Sequence, residues 1–403
     1  MKKLIFTALF LAFSMMGFSQ VATVKVTNSE KIQRQEIVEV DLQNICNVLK
    51  CKATDKFIVK NALNQEVAYQ ITYDNKMLID ASVRPCGTAE FTVMLGKPAK
   101  MQHFVHGAHH PERVDDIAWE NDRTAYRLYG PALQASGEKA YGNDVWTKGT
   151  PDLEVDKRYK VEHDAAKKIK KLKEKGKTDE AFALEVATTY HFDHGYGLDC
   201  YKVGPSLGCG TPALLVDGQI LFPYCYDKYE ILDNGPLRFT VDLTYKPTTV
   251  GKNKKVVEHR QLSLDKGSNF NKMVVWYDGM SDAYDVCSGI VVHAEDTESA
   301  IAGKGYIQYA DPTDNPTKQN FQIYTAVVYP DKDVKTKLVK AAIVENGIAG
   351  HLIGYKKMNP NAKFTYYFGS AWSKYDVRNQ TEWQCRISTF MDAINAPLQV
   401  TVK

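Results

Sequence analysis

The sequence has no long apolar run beyond its N-terminal segment and no marked excess of charge of either sign. A membrane-spanning helix needs roughly 20 consecutive apolar residues, and no later stretch approaches that length, so we expect no membrane span. The formal net charge is +3 over 403 residues. A balance so close to neutral gives no electrostatic basis for binding nucleic acid or a membrane surface, and neither is predicted as a partner.

Signatures of several enzyme classes are also missing. The sequence has no Gly-x-Ser-x-Gly nucleophile elbow, no glycine-rich phosphate-binding loop and no His-Glu-x-x-His zinc helix. Eight cysteines are present, but none has the paired spacing of a zinc site. Cys46 and Cys51 are close enough to form a disulfide across a short loop, and Cys200 and Cys209 are a second candidate pair. Structural thiols are the alternative.

The N-terminus has the three parts of a secretory signal peptide. Lys2 and Lys3 form a basic start, residues 4–13 are apolar, and small or polar residues follow up to Gln20. We therefore expect residues 1–20 to be cleaved on export, and the mature protein to be periplasmic or secreted.

Strand-like alternation of apolar and polar residues dominates most of the mature chain. Between residues 21 and 100 it recurs in segments separated by turn formers, which predicts a small N-terminal β-unit. Alternating segments return after Tyr190 and continue to residues 398–402. Because the chain is too long for one hydrophobic core, residues 101–403 are predicted to form a larger, mainly β domain, a sandwich of antiparallel sheets.

One region departs from this pattern. Residues 156–187 are highly charged and helical in periodicity, with a dense run of lysines over 167–175. We predict a charged helical insertion in the larger domain. A lysine run is typical of a solvated helix face, and the alternative is a lid or patch that attracts an anionic ligand.

Polar and aromatic residues concentrate in two windows, 103–127 and 190–204, which hold six of the ten histidines. Charged side chains are rarely fully buried unless they are paired. Packing alone therefore does not explain this density, and it predicts a cleft that binds a polar ligand.

In the first window, Trp119 offers a flat aromatic surface of the kind that stacks on a sugar face. It is followed by Arg123, Tyr126 and Arg127, and guanidinium groups bind carboxylates through two parallel hydrogen bonds. These residues predict a site for an acidic ligand. The alternative is a strand whose large residues pack in the core while its charges pair with acidic neighbours in the sequence.

In the second window, His191, Asp193 and His194 are candidate metal ligands, with neighbouring glycines that permit close approach. A metal-free histidine acting as acid or base, or a structural role, are the alternatives. His293 follows an apolar strand and is a second candidate general base, with a core histidine as the alternative. The remaining candidate substrate-binding residues are His110, Lys148 and Lys202.

Three long motifs carry a resemblance to a known family. They occupy residues 118–133 (AWENDRTAYRLYGPAL), 144–148 (DVWTK) and 190–204 (YHFDHGYGLDCYKVG). Through them, nearly the whole mature chain resembles the exported proteins of bacterial polysaccharide-utilisation loci long known only as a domain of unknown function. One branch of that family is the oligosaccharide dehydratase of ulvan breakdown. For the fold, we expect a supersandwich of the kind found in mutarotase-like and lyase domains.

The resemblance implies a specific reaction. Such an enzyme takes an oligosaccharide with glucuronate or iduronate at its non-reducing end, linked to 3-sulfated rhamnose. It removes water across C4 and C5 and leaves a 4,5-unsaturated uronyl residue. The implied partner is thus an anionic oligosaccharide, and the implied enzyme class is a carbon–oxygen lyase.

This chemistry requires three groups. The C5 proton is only weakly acidic while the neighbouring carboxylate stays charged, so a cation must neutralise that carboxylate. Arg123 or Arg127 is the predicted cation, and a divalent metal near His191 is the alternative, so no cofactor is required. His191 and His293 are the candidate bases. The candidate acids are Tyr126, Tyr196 and Tyr201.

Three other functions remain open. A polysaccharide lyase performs the same elimination with a sugar as the leaving group. A glycosidase needs two carboxyl groups, which Glu120, Asp122, Asp193 and Asp199 could supply. A glycan-binding protein without catalysis is the third, although such modules rely more on aromatic and amide side chains than on histidine.

Overall fold

The computed structural model describes residues 20–313 and 320–403. The predicted signal peptide therefore lies outside the described residues, except for Gln20. In the described part of the chain, no helix is both long and apolar enough to cross a membrane. The architecture of these residues is mainly β with antiparallel sheets, which confirms the predicted fold class.

The strands are β1 (Val21–Thr27), β2 (Arg34–Asp41), β3 (Phe57–Lys60), β4 (Tyr69–Ile71), β5 (Lys76–Val83), β6 (Thr88–Leu95), β7 (His106–His110), β8 (Asp116–Glu120), β9 (Ala125–Leu128), β10 (Asp144–Trp146), β11 (Cys209–Val216), β12 (Gln219–Leu221), β13 (Tyr226–Asn234), β14 (Arg238–Tyr245), β15 (Thr248–Val250), β16 (Asn253–Asp265), β17 (Phe270–Asp278), β18 (Tyr284–His293), β19 (Ile301–Gly303), β20 (Tyr306–Asp311), β21 (Ile323–Val328), β22 (Lys335–Glu345), β23 (Ile348–Met358), β24 (Phe364–Trp372) and β25 (Gln399–Val402). The helices are α1 (Leu42–Leu49), α2 (Pro131–Ala135), α3 (Val155–Glu174), α4 (Thr178–Thr188) and α5 (Gln380–Asn395).

The N-terminal unit consists of two small antiparallel sheets and α1. Their strand orders are β25-β1-β6-β3 and β2-β5-β4, and they share a hydrophobic core of their own. β25 comes from the far end of the chain and places Val402 opposite Val24 of β1. The C-terminal strand thus belongs to this unit and not to the domain 101–403 in which the sequence pattern placed it, because its apolar residues pack against this core.

The cysteines predicted to pair are not bridged. In the described chain, which includes all eight cysteines, no disulfide is formed. Cys46 lies in the last turn of α1, where its carbonyl accepts a hydrogen bond from the Cys51 N–H (3.1 Å). Cys209 is the first residue of β11, and its Sγ lies 3.7 Å from the carbonyl oxygen of Gly369. It forms no disulfide with Cys200.

The larger domain is a sandwich of two antiparallel layers. One layer is a nine-stranded sheet in the order β13-β14-β16-β17-β24-β21-β20-β19, with β15 paired to β16. The other layer comprises the sheets β10-β9-β8-β7 and β12-β11-β18-β23-β22. Inward-facing residues of all three sheets share one core, among them Trp119, Leu214, Val286 and Phe368. Two layers that interdigitate in this way are the expected packing of twisted antiparallel sheets.

The outer face of the nine-stranded sheet is also covered. α5 packs there through Trp383 and Ile387, and the ring of Phe270 stacks on that of Trp383 at 5.4 Å. The N-terminal unit contacts the same sheet, where the Tyr73 N–H donates to Asp233 (2.9 Å). α5 was not predicted from the sequence.

The charged helical insertion is confirmed as α3 and α4. α3 buries Val155 and Tyr159, which pack with Ala118 and Trp146 on the outer face of the sheet β10-β9-β8-β7. The lysines of the run 167–175 are exposed, as expected of a solvated helix face.

Candidate active site

The two polar windows meet beneath α3, on the outer face of the sheet β10-β9-β8-β7. The segment 189–199 runs beside β10, where the Thr147 N–H donates to the carbonyl oxygen of Leu198 (3.0 Å) and Asp199 pairs with Trp146. This backbone pairing places residues 190–199 of the second window next to the polar residues of β8 and β9.

Glycine makes this close approach possible. Gly197 has a φ of 105°, and a Cβ at this position would clash with the carbonyl oxygen of Thr147. Gly195 has a φ of 97°, but a Cβ there would meet open space. Gly197 therefore allows the loop backbone to lie against Thr147, the residue after β10.

Replacing Gly197 with alanine should destabilise the fold more than the same change at Gly195. Both variants incur the left-handed backbone cost of about 1 kcal/mol. Only Gly197→Ala adds a clash with backbone, for a total of about 2–4 kcal/mol. Urea unfolding of the two variants measures the difference. Equal losses would show that the contact with Thr147 does not hold the loop.

Arg127 is the centre of a buried ionic cluster. Its Nη2 pairs with Asp144 and donates to Asp199 (3.0 Å), and its Nη1 lies 3.9 Å from Asp116. The side chains of these carboxylates are 0%, 5% and 1% exposed, respectively. Three buried carboxylates therefore surround one guanidinium, and the positive charge of Arg113 also acts on Asp116.

Two of these carboxyls titrate near neutral pH. Burial raises the pKa of Asp116 to about 6 and that of Asp144 to about 7, against the opposing charge of Arg127. Tyr159 donates a hydrogen bond to Asp116 and Tyr129 donates one to Asp144, both at 3.2 Å. Perturbed carboxyls of this kind are common at functional sites, and these can hold or release a proton at physiological pH.

His191 lies at the solvent edge of the cluster. Its Nδ1 is 3.1 Å from the carbonyl oxygen of Asp199 and 3.8 Å from that residue's Oδ2. A carbonyl oxygen only accepts hydrogen bonds, so Nδ1 carries the hydrogen and Nε2 is the basic nitrogen of the neutral ring. The side chain is 56% exposed, so a ligand can reach Nε2.

A second guanidinium contacts Tyr190, the neighbour of His191 in the sequence. Arg113 Nε donates to the Tyr190 hydroxyl (2.8 Å), and the Tyr190 ring is 4.7 Å from the ring of His191. Arg113 is half-buried, and its two Nη nitrogens have no hydrogen-bond partner among the described residues. They are therefore available for a carboxylate, which a guanidinium binds through two parallel hydrogen bonds.

Three predicted site residues belong to the protein core instead. Trp119 and Tyr126 are each 1% exposed, and their rings stack between the layers at 5.6 Å. Lys148 is fully buried and pairs with Glu120. The predictions of a stacking surface at Trp119, an acid at Tyr126 and a binding lysine were wrong, because β8, β9 and β10 are covered on both faces.

Two further predicted binding residues have structural partners. Arg127 is committed to its buried carboxylates, so it is not the cation that binds substrate. His110 is buried, and its ring contacts Glu112 (3.0 Å) and Asp156 (3.4 Å). Since Asp156 lies in the first turn of α3, His110 anchors the insertion to β7 and does not face a ligand.

The predicted acids differ in accessibility. Tyr201 is 5% exposed, and burial holds its pKa far above the usual range, which argues against a role as the acid. Tyr196 is half-buried, and its ring lies 5.0 Å from the guanidinium of Arg158. Lys202 is exposed on the same segment. Tyr196 is thus the predicted acid that a ligand can reach.

His293 forms a separate buried pair. Its Nδ1 lies 3.0 Å from Asp311 Oδ2, and the two side chains are 3% and 0% exposed. The pair joins β18 in one layer to β20 in the other. His293 is therefore a core histidine, and of the two predicted bases only His191 is open to solvent.

His351, on β23 next to β18, makes stability depend on pH. Its Nε2 accepts a hydrogen bond from the Leu207 N–H (3.3 Å), and burial, with a smaller contribution from the charge of His293, lowers its pKa to about 4. The unfolded chain binds this proton at a pKa of about 6.5. Stability that is present above pH 6.5 should therefore be lost as the pH falls to 4, by about 3 kcal/mol.

The variant His351→Gln isolates this effect. Glutamine keeps an acceptor for Leu207 but does not titrate, so the free energy of unfolding of the wild type should fall by about 3 kcal/mol more than that of the variant between pH 7 and pH 4. Asp116 and Asp144, whose raised pKa values give the opposite slope, are common to both proteins. If the difference in free energy of unfolding between the two proteins were the same at pH 7 and pH 4, His351 would not be the source of the pH dependence.

The three residues predicted to bind a metal do not converge. His194 Nε2 donates to the carbonyl oxygen of Thr189 (3.0 Å). Asp193 accepts from the Gly195 N–H (2.8 Å) and pairs with Lys374, so it stabilises the glycine turn. Among the described residues, no group of three His, Cys, Asp or Glu side chains is arranged to hold a metal ion.

Arg123 lies outside this site, and the four carboxylates of the glycosidase alternative are bound to structural partners. Arg123 pairs with Asp376 (3.1 Å) and faces a separate cavity. Glu120 accepts from the Val155 N–H (2.7 Å), and Asp122 accepts from the Gly267 N–H (2.7 Å). With Asp193 in the glycine turn and Asp199 bound to Arg127, the contacts of these four carboxylates give no support to a glycosidase pair.

Sequence reasoning missed four residues of the site, although each lies in a polar window or a quoted motif: Arg113, Asp116, Asp144 and Tyr190. The short segment AYRL (125–128) is a sequence signal for the ionic cluster. An arginine within an apolar strand is buried and needs carboxylate partners.

Comparisons with known proteins give a family and no activity. A family model described as "Domain of unknown function (DUF4861)" matches residues 26–400. Uncharacterized protein P7 of Formosa agariphila is 28% identical over 303 residues, which are 73% of this chain and 68% of that protein.

Two solved structures from Enterococcus faecalis show a distant similarity to this chain. One is an alpha-mannosidase of strain V583, with a TM-score of 0.48 and 8% identity over 95% of this chain and 46% of that chain. The other is a protein in glycosyl hydrolase family 38, with a TM-score of 0.48 and 8% identity over 95% and 47%. This chain spans less than half the length of either, and neither likeness assigns a site.

Proposed function

Since the chain belongs to the family described as DUF4861, a domain of unknown function, we propose an activity from its site: it is an oligosaccharide dehydratase, exported to the periplasm or beyond. It removes water across C4 and C5 of a glucuronate or iduronate at the non-reducing end of an ulvan-type sulfated oligosaccharide. The observation that carries the proposal is His191, an exposed side chain with Nδ1 bound and Nε2 basic, whose ring contacts the same Tyr190 that holds the Arg113 guanidinium. The choice of substrate rests on the resemblance of the three motifs.

Arg113 binds the uronate carboxylate. Its Nη nitrogens have no partner among the described residues, and Tyr190 holds its Nε (2.8 Å). Neutralising the carboxylate lets it take up the charge that develops when the C5 proton leaves. Arg113 therefore takes the role that the sequence analysis gave to Arg123 or Arg127.

His191 takes the C5 proton on Nε2. The carbonyl oxygen of Asp199 fixes the tautomer, and its carboxylate, 3.8 Å from Nδ1, stabilises the imidazolium that forms. The electron pair of the C5–H bond becomes the second bond between C4 and C5.

Tyr196 protonates the departing C4 hydroxyl, which leaves as water. Burial raises the pKa of Tyr196, and the charge of Arg158 beneath the ring opposes that shift, so the phenolate that results has a nearby cation. Proton exchange through solvent then returns His191 and Tyr196 to their starting states.

Elimination is favoured over hydrolysis by the positions of the carboxylates. Asp144 and Asp199 are both bound to one nitrogen of Arg127. A glycosidase needs room for a sugar between its two carboxyl groups, and here the guanidinium occupies that space.

Mass spectrometry and ultraviolet absorbance test the proposal on saturated uronyl-rhamnose-sulfate oligosaccharides. Loss of one water with rising absorbance and no chain cleavage is the expected result. Cleavage with absorbance would identify a lyase, and cleavage without it a hydrolase. Binding without any change in mass would identify a glycan-binding protein. Each of the last three outcomes overturns the dehydratase.

A further inference from the structure

A cavity of about 500 Å³ lies between the N-terminal unit, α5 and the turn from β16 to β17. It is lined by Arg123, Arg386 and aromatic side chains, and by none of the residues of the His191 site. The mechanism above does not use it. Its volume is in the range of small-molecule sites, about 300–1,000 Å³.

The cavity has unbalanced positive charge at one place. Arg123 Nη1 lies 3.1 Å from Asp376 Oδ2, and Arg386 Nη1 lies 3.9 Å from the same oxygen. Two guanidinium groups therefore share one carboxylate. Arg386 also donates to Asn269 Oδ1 (2.7 Å), and the buried Nε of Arg123 has no hydrogen-bond partner among the described residues.

The other charged side chains of the cavity wall are held in ion pairs at some distance along the wall from Asp376. Arg34 pairs with Glu36. Asp265 (2.5 Å) and Glu39 (2.6 Å) both pair with Arg238, so carboxylates are in excess there, and Lys266 pairs with Asp80. At Arg123 and Arg386, by contrast, positive charge exceeds negative charge, and a bound anion would balance it. Charge-assisted hydrogen bonds to guanidinium are among the strongest that proteins form.

The wall beside these arginines is aromatic. Phe390 stacks on Phe270 at 4.3 Å and meets Tyr367 edge-on at 5.1 Å, and all three line the cavity. A cation pair next to apolar ring surfaces suits a ligand with one charged group and an apolar face.

We infer that this cavity is a second binding site, for a sugar residue that carries a carboxylate or a sulfate group. The oxyanion binds between Arg123 and Arg386, and the sugar ring packs on Phe390 and Tyr367. The site is separate from the His191 site, and it stands whether or not the dehydratase proposal is correct. Because its walls come from the N-terminal unit and the sandwich, ligand binding would also tie the two together.

Nuclear magnetic resonance of the arginine Nε–Hε groups tests the inference site by site in the full chain. The probes are glucuronate, glucose and inorganic sulfate at constant ionic strength. Glucuronate should shift the signals of Arg123 and Arg386, glucose should not, and sulfate should bind more weakly because it lacks the ring. Arg386→Gln should weaken glucuronate binding here by about tenfold or more, with turnover of oligosaccharide unchanged.

Arg378→Gln is the matched control, because Arg378 pairs with Glu382 (2.7 Å) near the start of α5 and does not line the cavity. It should leave binding unchanged. Arg123→Gln provides a second test if Arg386→Gln fails to fold. Unshifted Arg123 and Arg386 signals, equal binding of glucose, or an equal loss in Arg378→Gln would overturn the site. If glucuronate shifted the Arg113 signal alone, it would bind only at the dehydratase site, and the second site would again be overturned.

Discussion

Replacement of His191 by alanine is expected to lower kcat/KM for dehydration by about 10²- to 10⁴-fold, the usual contribution of a general base. The side chain is 56% exposed, so its loss should leave the free energy of unfolding nearly unchanged. Turnover is measured from the absorbance of the unsaturated product, and stability from urea unfolding of the same preparation.

His194→Ala is the matched control for this experiment. His194 lies in the same loop, is exposed, and uses its Nε2 to hold the carbonyl oxygen of Thr189. It should keep most of the activity. Near-wild-type turnover in His191→Ala would remove His191 from the mechanism, and equal losses in both variants would point to a general disturbance of the loop.

Replacement of Arg127 by methionine is expected to destabilise the protein by about 3–5 kcal/mol at pH 8, because it leaves buried carboxylates without their counter-charge. The loss should be smaller at pH 5. Asp116 and Asp144 already have pKa values of about 6 and 7, and without the guanidinium they protonate still more readily, which removes the charge that is costly to bury.

Asp144→Asn separates charge from packing in this cluster. This variant removes one negative charge from the cluster and keeps the shape of the side chain. Its loss in free energy of unfolding at pH 8 should therefore be less than half that of Arg127→Met. Adding it to Arg127→Met should recover part of the lost stability. Urea unfolding at both pH values gives these differences, and a loss in Arg127→Met that does not change with pH would show that packing, not charge, is responsible.

The strands with one buried face and one partly exposed face were predictable from the sequence. The alternation over residues 88–95 coincides with β6, and the alternation over 21–26, 255–264 and 270–277 lies within one or two residues of β1, β16 and β17. These strands alternate because only one of their faces is buried. β8 was missed because all five of its residues are buried, and a strand covered on both faces shows no alternation.

The site was predicted as a region more accurately than as a set of residues. The two polar windows do meet, and His191 is the member that faces solvent with a basic nitrogen. Sequence could not show that Trp119 packs in the core or that Arg127 is enclosed by carboxylates, since both facts depend on which face of a short strand the partner layer covers.

The sequence by itself determined the mainly β class, the helical insertion and the two polar windows, because these depend on periodicity and composition within short segments. Only the tertiary structure decided that β25 joins the first sheet, that Arg113 and His191 flank one tyrosine, and that Arg123 and Arg386 share a cavity. Those contacts join residues far apart in the chain, and their geometry comes from layer packing, which no local pattern encodes.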